Sequence, residues 1–236
     1  MKPVLILCPG LMCDAAVWAP QLASLSVTHD CVVMDYGERS SLAEMAHQVL
    51  ETAGAQPFAL AGHSMGGRVA LEVVRVAPQR VSHLGLFNTG IYPLPEGEPG
   101  CKEKSSRLAL VAQAKEQGMR AMGRQWLVNM VHPHVQGKPL FESILDMLER
   151  SSPAQFAAQT QALLARPDAT VVLPTISGPT LVLTGEQDLW SPPVQHAAIA
   201  RAIRGAALEV VNDCGHLSTL EQPEAVTHAM LRWLQR

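Results

Sequence analysis

The stretch Leu60-Ala61-Gly62-His63-Ser64-Met65-Gly66-Gly67 decides how the rest of the chain is read. An apolar run, Phe58 to Ala61, leads into it, and a run rich in good helix formers, Arg68 to Ala77, leads out. Between them stands Gly-x-Ser-x-Gly. An entering strand, a sharp turn and a departing helix with the serine at the apex form a nucleophile elbow. The residue types suit that geometry. Glycines relieve crowding around a serine held in strained backbone conformation. The helix aims its unpaired N–H groups and positive dipole end at the serine, where a developing negative charge would be stabilised. A motif this short can arise by chance in a chain with 17 glycines, so its weight depends on its context.

Working outward, the chain alternates. Val4 to Cys8 is a continuous apolar run, too short for a helix and suited to a strand buried on both faces; it stops at Pro9-Gly10. A helix follows through Trp18 and Leu22 to Leu25, with Asp14 placed to cap it. Cys31 to Met34 reads as a second buried strand, ending at Asp35. Ser40 or Ser41 is placed to cap the next helix, with Glu44 completing a capping box from Ser41. Leu42, Met45, Ala46, Val49, Leu50 and Ala53 then recur at helical spacing until Gly54. Phe58 to Ala61 is the third strand, and Leu84 to Phe87 the fourth. This alternation predicts a parallel sheet with helices on both faces. Ligands bind such sheets outside the carboxyl ends of the strands, where Pro9-Gly10, Asp35 and Ser64 all lie.

The character changes at Thr89. Thr89 to Gly100 is rich in proline and glycine and reads as a connection. From about Cys101 to Ala165 the pattern is helical, with helices expected near Lys104–Gln117, Met119–Met130, Leu140–Glu149 and Pro153–Leu164. Met119, Met122, Met130 and Met147 fall here; packing between helices is favoured for them over an adaptable pocket. Strand pattern returns with Thr180 to Thr184 and Leu208 to Val211, separated by a helix over Val194–Ile203; a last helix follows Pro223. The expected architecture is an α/β core, residues 1–92 and 174–236, with a helical cap, residues 93–173, inserted after the fourth strand. Six mostly parallel strands are expected, because the chain begins directly at its first buried strand.

The totals narrow the function classes. At 236 residues the chain suits one α/β domain with an insertion, and its net charge of −3 with no basic run leaves no footprint for nucleic acid. No apolar stretch approaches the ~20 residues of a membrane span, and Met1-Lys2-Pro3 followed by a short apolar run does not read as a signal peptide. Five scattered cysteines without Cys-x-x-Cys spacing read as reduced thiols in a cytoplasmic protein, not as a disulfide framework or zinc site. No cofactor or metal is expected, and the partner expected is a small molecule. Oligomeric state is left open.

Serine is a weak nucleophile at neutral pH and needs a base, which in turn needs an orienting group. The third strand end supplies Ser64, the fifth Asp188 and the sixth His216, all on one edge of the sheet. Asp213 is a rival for Asp188, being close in sequence to His216. His63 is better placed to orient loops than to react. His132-Pro133-His134 reads as a solvated loop rather than a metal site. Cys13 and Cys214 are expected to fill space. Trp126, Met130 and Trp190 are candidates for the pocket wall.

These segments resemble the α/β-hydrolases, and among them the small capped serine esterases. Gly62-His63-Ser64-Met65-Gly66-Gly67 is similar to that family's elbow, Leu181 to Asp188 to its acid segment, and Gly215-His216-Leu217 with Glu221-Gln222-Pro223 to its histidine segment. Pro9-Gly10-Leu11 matches the position of the oxyanion loop, with Pro9 where the family usually has histidine. The turn Asp35 to Ser40 is shorter than the family's pattern. The resemblance spans nearly the whole chain and is least specific in the cap. It implies Ser64, Asp188 and His216 as a triad in the family's chain order, backbone N–H groups of Leu11 and Met65 as oxyanion donors, and hydrolysis of a small carboxylic ester or thioester. The same fold also serves carbon–carbon bond hydrolysis, acyl transfer, cofactor-free perhydrolysis and, as a different class, small-molecule reception without catalysis.

Overall fold

The apolar runs form six strands: β1 (Val4–Cys8), β2 (Asp30–Val33), β3 (Phe58–His63), β4 (Val81–Phe87), β5 (Thr180–Gly185) and β6 (Ala207–Val211). A computed structural model describes residues 2–236. All adjacent strands pair in parallel, in the order β2-β1-β3-β4-β5-β6. β3 and β5 are buried along their whole length, as strands covered on both faces must be. β2 departs from the sequence expectation. It lies at the edge of the sheet and its residues alternate between exposed and half-buried, with Val32 36% exposed. An edge strand has a neighbour on one side only, so apolar residues there gain less burial. β6, the other edge, shows the same alternation.

Asp14 caps a single 3₁₀ turn, Ala15–Trp18, by accepting from the Ala16 N–H at 2.8 Å; α1 (Ala19–Leu25) continues from it. Ser41 caps α2 (Leu42–Thr52) through the Ala43 N–H at 3.2 Å, while Glu44 stays exposed and does not close the expected capping box. α3 (Met65–Val76) leaves directly from Ser64. Between β4 and β5 the chain builds α4 (Glu98–Gln117), α5 (Met119–Leu127), α6 (Pro139–Glu149) and α7 (Pro153–Leu164). α4 begins at Glu98, inside the segment expected to be a connection. Pro99 sits in its first turn, where a missing N–H costs no hydrogen bond, so the proline there starts a helix. The chain ends with α8 (Pro193–Ala202), the one-turn α9 (Ser218–Glu221) and α10 (Pro223–Leu234). α1 packs against α10 and α2 against α3.

The topology positions the site. β1 lies between β2 and β3, so the chain reverses direction across the sheet at β1. Loops leaving neighbouring strands at such a switch diverge and open a crevice. The loop after β1 carries Gly10 and Leu11, and the turn after β3 carries Ser64. Their approach is close: a Cβ on Gly10 would lie 3.3 Å from Ser64 Cβ.

The segment between β4 and β5 is closed on itself near its ends and bonded to the rest of the chain through α7. The Ala169 N–H donates to the Ile91 carbonyl at 2.9 Å, pairing the two connecting segments. Gln159 of α7 accepts from the Met12 N–H at 3.0 Å and donates to the Gly37 carbonyl at 3.1 Å. No helix among the described residues is long and apolar enough to cross a membrane.

Candidate active site

Ser64 stands between β3 and α3 with φ 54° and ψ −115°. Positive φ is strained for a residue with a side chain and persists only where surroundings enforce it. They do. The Ser64 N–H donates to the Phe87 carbonyl at 2.8 Å, and its carbonyl accepts from Thr89 Oγ1 at 2.7 Å. Thr89 is fixed in turn, its N–H donating to His196 Nε2 at 3.0 Å. A Cβ on Gly62 would overlap the Gly66 carbonyl, and one on Gly66 the Cys8 carbonyl. The turn therefore closes only with glycine at both positions.

His216 follows β6 and Asp188 follows β5. His216 Nε2 lies 2.8 Å from Ser64 Oγ, and His216 Nδ1 lies 2.9 and 3.0 Å from the two Asp188 oxygens. Asp213, the rival carboxylate, is exposed. The Asp188 carboxylate is buried yet well supplied with donors. Oδ1 accepts from the Trp190 and Ser191 N–H groups, each at 2.9 Å, and Oδ2 from Asn88 Nδ2 at 2.9 Å. Burial alone would raise the pKa of this group. The neighbouring His216, the Asn88 amide and the Ser191 N–H outweigh it and bring the carboxyl down to about 2. An anion there fixes the proton of His216 on Nδ1 and turns the bare Nε2 to the serine hydroxyl.

The loop carrying His216 is held from three sides. Its N–H donates to the Met130 carbonyl of the insertion at 2.7 Å, and its carbonyl lies 2.8 Å from His63 Nε2. His63 is thus a loop-orienting residue. Burial, then the neighbouring His216, push its pKa down to about 3, so the ring is neutral and Nε2 carries the proton. Glu221 accepts from the Gly215 and Leu217 N–H groups on either side of His216, at 3.0 and 2.9 Å, and from the His132 N–H at 2.7 Å. Burial raises its pKa even against these three bonds.

Two backbone N–H groups close to Ser64 along the chain or across the crevice have no acceptor. Among the described residues neither the Leu11 N–H nor the Met65 N–H makes a hydrogen bond. Met65 opens α3, so its N–H has no partner within the helix. The Leu11 loop is held through the Met12 N–H by Gln159.

A cavity of about 360 Å³ opens on Ser64 and His216. Trp190, 41% exposed, forms part of its wall. Trp126 lines an adjoining groove of about 470 Å³, which shares Glu103, Arg107 and Trp190 with the first. Met130 reaches neither; its side chain is buried inside the insertion and it serves through its carbonyl. Met119, Met122 and Met147 are likewise buried. Cys13 and Cys214 lie outside the cavity wall, and burial pushes both thiols up, Cys13 to about 12. His132 and His134 pack ring on ring at 4.3 Å, with His132 Nδ1 accepting from the His134 N–H.

Sequence reasoning missed Asn88, Gln159 and the arginines of the wall. Asn88 had a signal: it directly follows the apolar run of β4, on the same carboxyl edge as Ser64 and Asp188. Gln159 had none, since nothing in its surroundings separates it from other helical glutamines.

Comparison with known proteins agrees with the fold. The sequence profile described as the alpha/beta hydrolase family matches residues 5–229. A Pseudomonas savastanoi pv. phaseolicola protein named "Putative carbamate hydrolase RutD" is 25% identical over 98% of this chain and 93% of its own length. Its namesake from Klebsiella pneumoniae is 28% identical over 91% of this chain and 84% of its own length. Among solved structures, a thermophilic esterase from Thermogutta terrifontis with malate bound superposes with TM-score 0.85 at 26% identity, covering 99% of this chain and 91% of that one. The enol-lactonase from Burkholderia xenovorans shares the fold, with TM-score 0.86 at 24% identity over 100% of this chain and 92% of that one. With the profile spanning nearly the whole chain and six parallel strands in place, the chain belongs to the alpha/beta hydrolase family.

Proposed function

We propose that the protein is a serine hydrolase that cleaves a small carboxylic ester or thioester through an acyl-enzyme on Ser64. The observation that carries this reading is the unbroken hydrogen-bond chain from Ser64 Oγ through His216 to Asp188, at 2.8 and 2.9 Å. Ser64 Oγ attacks the acyl carbonyl as His216 Nε2 takes its proton. The carbonyl oxygen becomes an oxyanion, held by the Leu11 and Met65 N–H groups; one such donor contributes on the order of 3 kcal/mol in the transition state. Collapse breaks the bond to the leaving alcohol or thiol, which receives the proton from His216. Water then repeats the attack on the acyl-enzyme, gives its proton to His216, and releases the acid as Ser64 recovers its proton. Asp188 stays ionised throughout and holds the imidazole in the needed tautomer.

In this reading residues 93–173 are a cap over the core of residues 1–92 and 174–236, and Glu103 and Arg107 from α4 contribute to the wall of the Ser64 cavity. The five cysteines are free thiols, in keeping with a reducing, cytoplasmic setting. The relatives named carbamate hydrolases bring carbamates into the substrate panel, because a carbamate carbonyl develops the same oxyanion. The test is turnover of 4-nitrophenyl esters from acetyl to octanoyl, matching thioesters and a carbamate, by wild type and Ser64→Ala. The reading expects ester turnover that Ser64→Ala abolishes. Wild-type turnover by Ser64→Ala would overturn it.

A further inference from the structure

The wall of the Ser64 cavity carries more positive charge than acyl transfer needs. Arg68, Arg107 and Arg166 line it with a single carboxylate outside the Asp188–His216 pair, Glu103. Arg166 is fully engaged. Its two terminal nitrogens each reach a different Glu103 oxygen at 2.8 Å, and Nε donates to the Tyr92 carbonyl at 3.1 Å. Arg107 gives only Nε to Glu103, at 2.8 Å, and lays its guanidinium over the Trp190 ring at 5.3 Å. Its terminal nitrogens have no partner among the described residues.

Arg68 is the least compensated of the three. It sits one helical turn past Ser64 on α3, half-buried against the cavity. Among the described residues its side chain makes one hydrogen bond, from Nη1 to the Tyr92 carbonyl at 3.0 Å, and has no ion-pair partner. Burial, and then the charges of Arg166 and Arg107, press its pKa down to about 9. A guanidinium kept partly out of water without a counter-charge is costly, and a planar carboxylate matches its fork of donors. The same wall already shows that fit, since Glu103 bridges Arg107 and Arg166.

Resting on the reading of Ser64 as an acyl-transfer nucleophile, we infer that Arg68 and Arg107 form an anion subsite for a substrate carboxylate. The substrate class is then the half-ester: a carboxylic ester or thioester carrying a carboxylate a short spacer away from the scissile carbonyl. Trp190 backs the guanidinium of Arg107 and excludes water from one side, which strengthens the attraction.

The experiment has a kinetic arm and a binding arm. Two charged esters are compared with neutral partners of similar shape: 4-nitrophenyl hydrogen glutarate with 4-nitrophenyl 5-methylhexanoate, and 3-acetoxybenzoate with 3-acetoxybenzamide. The first pair places the anion on the acyl half and the second on the alcohol half. In at least one pair the charged ester is preferred at least tenfold in kcat/KM, chiefly through KM, and added salt erodes the preference. Arg68→Gln lowers that preference at least tenfold, Arg68→Lys by less, and Arg201→Gln on the exposed face of α8 leaves it unchanged. Neutral esters favoured in both pairs, or a preference that Arg68→Gln and Arg68→Lys both retain, would overturn the subsite. The binding arm uses calorimetry of glutarate with Ser64→Ala, in which turnover plays no part. Glutarate binds this variant, and adding Arg68→Gln or Arg68→Lys weakens it; inorganic phosphate binds less well. No glutarate binding, or tighter binding of phosphate, would refute the carboxylate assignment. Failure of the acyl-transfer reading looks different: glutarate binds, but no ester is turned over through Ser64.

Discussion

The cavity has two walls of different kinds. One is built from strand ends: Ser64 after β3 and His216 after β6 line it, with Asn88 after β4 and Asp188 after β5 buried behind them. There the polar atoms are bonded to one another within about 3 Å. The other is built from helices, with Arg68 on α3, Arg107 and Glu103 on α4 and Arg166 past α7. There Arg68 and Arg107 are each held by a single hydrogen-bonded nitrogen and keep donors in reserve, while Arg166 is fully bonded. Short side chains on rigid strand ends give the precision a proton relay needs. Long side chains on packed helices suit charge recognition. Under the proposed function, reaction chemistry and substrate choice sit on separate walls, and substitutions on each should fail differently.

The largest effects belong to the strand-end wall. Ser64→Ala or His216→Ala is expected to lower kcat by about six orders of magnitude, and Asp188→Asn by about four, with KM little changed. Steady-state kinetics on a 4-nitrophenyl ester checks this; a change in KM alone would break the contrast between the walls.

Acid should undermine the same wall through stability. Burial holds His63 at about 3 and His196 at about 4, well below the ordinary histidine value. The unfolded chain therefore takes up protons that the folded chain refuses. Stability from these two groups is complete above about pH 6.5 and falls as pH drops toward their folded values, by about 1.4 kcal/mol per pH unit for each. Asp188, whose pKa is lowered, keeps its contribution until below about pH 4. Urea unfolding at pH 7.5 and pH 5 is expected to show a loss on the order of 2 kcal/mol per histidine. Equal stability at both values would mean that the rings are not held neutral.

Asn88→Ala removes a donor to Asp188 and leaves Ser218 Oγ without the Asn88 Oδ1 acceptor at 2.5 Å. Loss of a hydrogen bond to a charged group is worth about 1.5–3 kcal/mol, so kcat should fall by roughly 10- to 100-fold. On the other wall, Arg107→Ala should raise KM for a charged ester roughly tenfold and leave kcat within about threefold. Smallest of all is Arg120→Ala. Arg120 links α5 to Glu142, Asp146 and Glu149 of α6 in an exposed cluster, and its loss should change the thermal midpoint little, because solvent screens such pairs and holding the long side chains costs entropy.

The two walls also differ in how far sequence reveals them. The strand-end wall leaves a one-dimensional trace: a short apolar run, then a turn, then a reactive residue. That trace picks out Ser64, Asp188 and His216 before any coordinates, along with the alternation that predicts the sheet. It fails where burial depends on neighbours, as at β2, whose apolar residues look central but lie at an edge. It also misreads Pro99, which opens α4 instead of breaking it. The helical wall leaves no such trace. Arg107 and Arg120 both sit in helices of the insertion, yet one reaches the cavity and the other the surface. Only the packing of α4 against α5 and α7 separates them.

The central claim is that Ser64 carries the acyl group. It is tested most directly by intact-protein mass spectrometry after rapid quenching with 4-nitrophenyl acetate, followed by peptide mapping. The account predicts one acetyl adduct on the Ser64 peptide that forms faster than it hydrolyses at low pH, and none in Ser64→Ala. Steady turnover with no adduct on Ser64, or an adduct that persists in Ser64→Ala, would contradict it.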